Sequence, residues 1–209
     1  MEQRSNKEEL IKTSDSSLYI IRDYTSDIFN LVSELPLRHE PPIIVYDKVM
    51  NQRRDVGFFS DVSKGYFYSG IIEPSIELSK FPFLLDLMNR VNSELGTEFN
   101  GVLVNRYRDG SKYISAHSDN EDGLDKKKKM VVSLAYGETR TFRIRKKRKN
   151  IEFEISGGLD KSNYFDIKHE PCMLIAMKGE FQRNFTHEVP ITKKPKGVRI
   201  SLTFRNHTV

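Results

Sequence analysis

A single cysteine, Cys172, is all the chain contains in 209 residues. No intrachain disulfide can therefore form, and a reducing compartment is allowed. No apolar run approaches the ~20 residues that cross a bilayer. Met1 to Asp15 is polar and holds no hydrophobic segment, so no secretion signal is read there. The expectation is an intracellular protein, in nucleus or cytoplasm. Internal repeats and linker-like stretches are also missing. One domain with a sizeable core is expected over 17–209, behind a flexible polar tail over 1–16. Positive charge is what the chain has in excess, 34 Lys and Arg against 29 Asp and Glu, for a formal net charge of +5. That balance is compatible with a polyanionic partner without establishing one.

Hydropathy patterning places the elements. Leu18 to Ile21 reads as a short strand, and Ser26 caps a helix with Ile28, Leu31, Val32 and Leu35 at helical spacing, ended by Pro36. Ile43 to Tyr46 is strand-like, with Asp47-Lys48 at a hairpin tip, and Gln52 to Asp55 is polar and basic. The aromatic run Tyr66-Phe67-Tyr68 lies between Gly65 and Gly70. A longer helix is expected from Pro82 to Leu95, with a stripe of Leu84, Leu87, Met88, Val91 and Leu95 and a cap at Gly96. Strands follow over 99–107, 130–136, 139–145, 151–155, 172–177 and 198–206. The expected class is mainly β with flanking helices (α+β), a sandwich or jelly roll braced by helices.

Chemistry concentrates just past the turn at Asp109-Gly110. On extended backbone, residues i and i+2 point to one side, so His117 and Asp119 can grip one ion. A histidine arriving from elsewhere would complete a 2-His-1-carboxylate face that leaves positions open on Fe(II). His-x-Asp alone is a weak signal. His187, beyond the strand 172–177, is the candidate partner, while His39, His169 and His207 are expected to be solvated loop histidines. In the last strand Val198, Ile200, Leu202 and Phe204 form a core face, and Arg199, Ser201, Thr203 and Arg205 form the other. Arginine suits bidentate capture of a carboxylate, and Asn105 and Tyr107 share a strand face of their own. Six residues of straight strand span roughly 20 Å, so Arg199 and Arg205 need not do the same job unless the strand bends.

Taken in order, Asn105-x-Tyr107-x-x-Gly110, His117-x-Asp119, His187 and Arg199-x5-Arg205 resemble the AlkB family of Fe(II)- and 2-oxoglutarate-dependent dioxygenases. The likeness extends from about Ile43 to Arg205 and is nearest to the homologues that repair alkylated duplex DNA. It implies a double-stranded β-helix with nucleotide-recognition segments within about 43–70. His117, Asp119 and His187 would be the catalytic metal ligands. Asn105, Tyr107, Arg199, Thr203 and Arg205 would contact 2-oxoglutarate, Arg199 taking its distal carboxylate. The implied reaction uses Fe(II), 2-oxoglutarate and O2 to hydroxylate an N-methyl group, with loss of formaldehyde and recovery of the base. A methylated base must leave the stack to react, and Tyr66, Phe67 and Tyr68 match the base-stacking segment.

Further substrate contacts follow from the same likeness. N1-methyladenine and N3-methylcytosine are cations, which an acidic neighbour would favour; Asn120 and Glu121 are the candidates. Tyr46 matches a finger inserted into the stack, with Asp47, Lys48 and Arg54 beside it. Asp47 departs from the pattern, where a neutral small residue would suit phosphates, and Ser201 stands where many relatives carry asparagine. Basic runs at Lys126 to Lys129, Arg143 to Lys149 and Lys193 to Lys196 suit phosphate contacts without sequence readout. Lys193 and Lys194 match the loop that reaches the opposite strand. The reading is a monomeric DNA demethylase. RNA in place of DNA is the alternative, and a basic nucleic-acid-binding module with an incidental His-x-Asp is the rival of another class.

Overall fold

Strand-forming sequence dominates on both sides of one long helix, and the structure, a computed structural model, follows it. It describes residues 7–120, 123–125, 127, 129–147, 154–155, 158–159, 164–194 and 196–208. In chain order the elements begin with β1 (Lys7–Lys12), β2 (Ser16–Ile21), α1 (Phe29–Ser33), β3 (Pro42–Val45), β4 (Lys48–Asn51), β5 (Asp55–Phe59), β6 (Gly65–Tyr68) and β7 (Ile71–Ile76). Next come α2 (Pro82–Leu95), β8 (Gly101–Tyr107), β9 (Ile114–His117), β10 (Met130–Gly137), β11 (Arg140–Lys146), β12 (Glu154–Ile155) and β13 (Gly158–Leu159). The chain closes with β14 (Tyr164–His169), β15 (Leu174–Gly179), α3 (Phe181–Asn184), β16 (Phe185–Val189) and β17 (Arg199–Arg205).

Eleven strands form the major sheet, in the order β13-β12-β1-β2-β15-β10-β17-β8-β5-β7-β6. A four-stranded minor sheet, β14-β11-β16-β9, faces it, and β3-β4 stands apart as a hairpin. Within the two larger sheets the pairing is antiparallel except between β5 and β7. One apolar layer packs the helices against the major sheet and includes Leu84, Leu87, Met88 and Val91 of α2 with Ile200, Leu202 and Phe204 of β17. A second fills the space between the sheets and includes Ile114, Val131, Phe142, Ile144, Met177 and Val189. Fully burying side chains of this kind contributes about 1.5–3 kcal/mol each. This is the jelly roll that the strand pattern predicts.

Helix α2 has the predicted ends. Pro82 opens it, and Gly96 closes it at φ 63°, donating its N–H to the Asn92 carbonyl. Other elements differ from expectation. Residues 7–12 are no tail, since β1 pairs with β2 and β12 and buries Leu10 and Ile11. Two apolar residues in a charged stretch suffice here because β2 offers an open edge to pair with. The helix expected from Ser26 shortens to Phe29–Ser33, entered where Phe29 N–H donates to Asp27 Oδ1 at 2.9 Å. Of the strand expected over 151–155, only Glu154 and Ile155 lie within the described residues. Strands β5, β7, β9, β14 and β16 were not predicted. β5 is buried at every position, including Asp55, so its polar start hid a central strand.

Candidate active site

Antiparallel registry assembles the site. Tyr107 lies opposite Arg199, Asn105 opposite Ser201 and Leu103 opposite Thr203, so these side chains share the inner face of the major sheet. Ser133 of β10 lies opposite Thr203 from the other flank. Both faces of β17 are buried: the apolar face meets the helices and the polar face lines a cavity between the sheets. In the minor sheet His187 of β16 pairs directly with His117 of β9, their rings 4.4 Å apart. The distant histidine is thus delivered by strand pairing.

Asp119 follows β9 and is held from both sides. Its backbone N–H donates to Gln182 Oε1 at 2.9 Å, and Ser118 Oγ donates to the Phe185 carbonyl at 2.7 Å. Its carboxylate lies 3.7 Å from His117 Nε2 and 3.8 Å from His187 Nε2. Each of the three residues offers a ligand atom, all within 4.8 Å of one another. His117 Nδ1–H donates to the Ser115 carbonyl at 2.9 Å, which leaves Nε2 as the lone-pair nitrogen. Burial and the neighbouring His187 lower His117 to about 3, and burial with Arg205 and Lys147 lowers His187 to about 3. Both imidazoles are neutral, as ligation requires.

Two orphaned polar groups test whether a metal and a dicarboxylate fit. Asp119 Oδ2 is buried without a hydrogen-bond partner, while Oδ1 accepts from Arg205 Nη2 at 2.6 Å. An open carboxylate oxygen facing two neutral imidazoles is a donor set for a divalent cation. Arg199 is 1% exposed and pairs with no carboxylate among the described residues, and its Nε and Nη1 have no partner. Burial pulls it down to about 10 despite the Tyr107 ring 5.3 Å away. A buried guanidinium with free donors calls for an anion. Asn105, Tyr107, Ser201, Thr203 and Arg205 line the same cavity. Arg205 is bound to Asp119, whereas Arg199 is not.

The substrate candidates scatter. Arg54 is buried rather than on a phosphate-facing surface, donating from Nε to Asn105 Oδ1 at 2.7 Å and lying 5.5 Å from the Tyr68 ring. Tyr66 and Tyr68 stack at 5.9 Å and 12°, yet Tyr66 packs into a buried cluster with Val56, Phe58 and Leu103. It therefore supports Tyr68 instead of offering a second open face. Phe67 points to the opposite side of β6, paired with Ile72. Tyr46 is 94% exposed at the tip of the β3–β4 hairpin, next to Lys48. Its φ of 49° and that of Asp47, 59°, are those of a two-residue hairpin turn, which explains Asp47 by backbone conformation. Asn120 is exposed and borders a separate cavity beyond Asp119, and Glu121 lies outside the described residues.

Much of the basic surplus is already paired. Arg143 donates to Asp166 at 2.6 and 2.7 Å, Arg145 to Glu188 at 2.9 Å and Lys196 to Glu138 at 2.7 Å, while Lys129 pairs with Glu180. Those members of the clusters brace strands and loops and are not free for phosphates. Lys126, Lys128, Arg148 and Lys149 lie outside the described residues, and Lys193 and Lys194 are exposed on a loop packed against Gly110.

Sequence reasoning missed several supporting residues. Arg140, 3% exposed, donates to the carbonyls of Asp109, Gly110, Lys112 and Pro190 and so ties the turn before β9 to the end of β16. Asp55 is fully buried and accepts from His39, Arg106 and Arg108. Burial pushes its carboxyl up, but those bonds and charges outweigh it and hold the group below its ordinary value. His39 stays exposed as expected, whereas His169 and His207 are buried, not solvated. His207 sits against Phe58 where any side chain at Gly101 would collide with it.

A jelly roll carrying His-x-Asp…His beside a buried arginine defines an Fe(II)/2-oxoglutarate oxygenase. A sequence profile of the 2OG-Fe(II) oxygenase superfamily matches residues 23–205, and the chain belongs to that superfamily. Its relatives there are AlkB homologues. It is 30% identical to the DNA oxidative demethylase ALKBH2 of Arabidopsis thaliana, over 79% of this chain and 56% of that protein. Identity is 34% to the human alpha-ketoglutarate-dependent dioxygenase alkB homolog 3, over 67% and 47%, and 28% to human ALKBH2, over 77% and 59%. The chain thus spans about half the length of these relatives. The solved structure of OsALKBH1 aligns with a TM-score of 0.56 at 15% identity, over 94% of this chain and 100% of that one, which shows the shared fold. Membership implies Fe(II) as the metal of this site and 2-oxoglutarate and O2 as its co-substrates.

Proposed function

We propose that the protein is an oxidative demethylase of N-alkylated bases in nucleic acid, acting on DNA by direct reversal. The observation that carries the reading is that His117 and His187, with Asp119 beside them, share one cavity with a buried arginine that has no carboxylate partner among the described residues, and with Tyr66. His117, Asp119 and His187 would hold the metal, and Arg199, Asn105, Tyr107, Thr203 and Arg205 would surround 2-oxoglutarate. Bound together, Fe(II), 2-oxoglutarate and O2 would supply the oxidation: one oxygen atom would enter the N-methyl group, the other the succinate formed with CO2 from 2-oxoglutarate, and the resulting hydroxymethyl group would leave as formaldehyde.

The chain's own residues do the positioning. Tyr68 is half-buried with its ring 6.4 Å from that of His117, so a base lying on it stands beside the metal face. Tyr66 stacks on Tyr68 at 5.9 Å, and the Arg54 guanidinium lies 5.5 Å from the Tyr68 ring. Tyr46, exposed on a turn, would enter the gap left by a flipped nucleotide. The names of the relatives, DNA oxidative demethylase among them, support the substrate class.

The test is incubation with Fe(II), 2-oxoglutarate and ascorbate and an oligonucleotide carrying one N1-methyladenine or N3-methylcytosine. Single-stranded DNA, duplex DNA and RNA are compared, and mass spectrometry follows the methyl group. Loss from DNA with release of formaldehyde is expected. Loss from RNA alone would transfer the function to RNA, and no loss from any of them, with metal bound, would refute the substrate class.

A further inference from the structure

His169 is the most deeply buried histidine of the chain, 0% exposed, and no part of the metal face. It ends β14 opposite Arg140. Its Nδ1 lies 3.0 Å from Arg199 Nη2, and its Nε2 lies 3.0 Å from the Met173 carbonyl. The Phe142 ring meets it edge-on at 5.8 Å and stacks on His187 with its plane, at 5.2 Å and 21°. A guanidinium has donors only, so Nδ1 must accept and the single ring proton must sit on Nε2, donating to Met173. One tautomer alone satisfies both contacts. Burial first, and then the Arg199 charge, push the imidazole well below its ordinary value, which keeps that acceptor available.

We infer that His169 is a positioning residue for the dicarboxylate co-substrate: its Nδ1 acceptor fixes the Arg199 guanidinium so that the remaining donors point into the cavity. The inference rests on the proposed function above for the identity of that dicarboxylate. Arg199 uses one Nη2 proton on His169, while Nε and Nη1 have no partner. Whichever Nη2 proton is used, a complete two-pronged edge of the guanidinium stays free for a carboxylate. Without the acceptor, Nη2 becomes a buried donor with nothing to hold it, and the long side chain regains rotamer freedom that binding must remove again. Arg140, close enough to lower Arg199 further, opposes any drift of the guanidinium toward it.

Asparagine and glutamine separate the two hydrogen bonds of His169. The Asn carbonyl reaches the place of Nδ1, and the Gln amide reaches that of Nε2. Calorimetry of Mn(II)-loaded protein should therefore show 2-oxoglutarate bound about tenfold or more weakly by His169→Gln, the size of one hydrogen bond to a charged group. His169→Asn should stay within about threefold of wild type. Oxalate, which reproduces only the metal-chelating end, should bind all three proteins alike. Wild-type affinity in His169→Gln, equal losses in both variants, or a parallel loss for oxalate would overturn the inference. Nitrogen-15 histidine NMR of the wild type tests it without a variant that must fold: the Nε2-protonated tautomer is expected, and the Nδ1-protonated one would overturn it. A wild-type protein that takes up Mn(II) and oxalate but no 2-oxoglutarate would instead refute the co-substrate reading, and the inference with it.

Discussion

Arg199→Met separates a residue kept for stability from one kept for a ligand. The guanidinium is 1% exposed, hydrogen-bonds to His169, and lies against Tyr107, touching its ring face and its hydroxyl. Burying an ion without its counter-ion costs several kcal/mol even after relaxation. Methionine of similar length removes that penalty. Against it stand about 1–3 kcal/mol for leaving His169 Nδ1 unsatisfied and about 1 kcal/mol of cation–π attraction. The net is a gain of about 1–2 kcal/mol in the protein without co-substrate, or roughly 2–8 °C in Tm for a domain of this size. Binding should move the other way, since truncating one partner of a buried charge pair costs about 2–5 kcal/mol, thirtyfold at the low end. Differential scanning fluorimetry of metal-loaded protein with and without 2-oxoglutarate reads both effects. A variant that melts several degrees lower yet keeps its response to 2-oxoglutarate would refute the assignment and make Arg199 an ordinary structural residue.

Asp119→Ala should abolish turnover together with Mn(II) uptake, and retained uptake would move the metal elsewhere. Asp55→Asn should destabilise by about 2–4 kcal/mol, because Arg106, Arg108 and His39 lose their shared partner but stay partly solvated. The sign of its pH dependence is fixed by the lowered carboxyl: its stabilisation is complete above the ordinary aspartate value and fades as pH falls through the lower folded one. The wild type should therefore lose more stability than the variant on acidification below about pH 4, and parallel melting curves would contradict this. Tyr46→Ala should reduce activity on duplex substrate more than on single strands, and equal losses would dismiss the finger. Metal and 2-oxoglutarate should each tighten the other by the same factor, about tenfold, and independent binding isotherms would disprove that coupling.

What could be read from the chain depended on whether the determining contact was local. Helix α2 was legible to the residue because its stripe, Pro82 and Gly96 all lie within one stretch. The metal face was legible because His117 and Asp119 sit two apart and His187 follows a clear strand. His169 was misjudged for the opposite reason. Beside Glu170-Pro171 it resembles any loop histidine, and only the return of β17 three strands later brings Arg199 to its ring. Arg54-Asp55 read as a polar basic stretch because charged residues in sequence suggest solvent. Their burial is made possible by Asn105, Arg106 and Arg108 on the neighbouring strand β8 and the turn after it. The basic runs misled in the same way: Asp166, Glu188 and Glu138, distant in sequence, neutralise cations that looked free.

Charge in the cavity explains why metal and co-substrate belong to one site. Asp119 and Arg205 compensate each other at 2.6 Å, which leaves Arg54, bonded to the neutral Asn105, and Arg199 as the cavity's cations without a carboxylate among the described residues. A divalent cation alone would add two positive charges to a pocket already positive, and 2-oxoglutarate brings the two negative charges that offset them. Arriving together they cancel, and the pocket returns to the balance it began with. The two loads also engage different parts of the structure, the cation at the paired ends of β9 and β16 and the distal carboxylate at the start of β17. Neutral His117 and His187 make this arrangement work, because a protonated imidazole at either position would oppose the cation it is placed to hold. Arg199 is thus a buried charge whose partner is not part of the chain, and its cost to the fold is the measure of how strongly the site favours a dianion beside a metal.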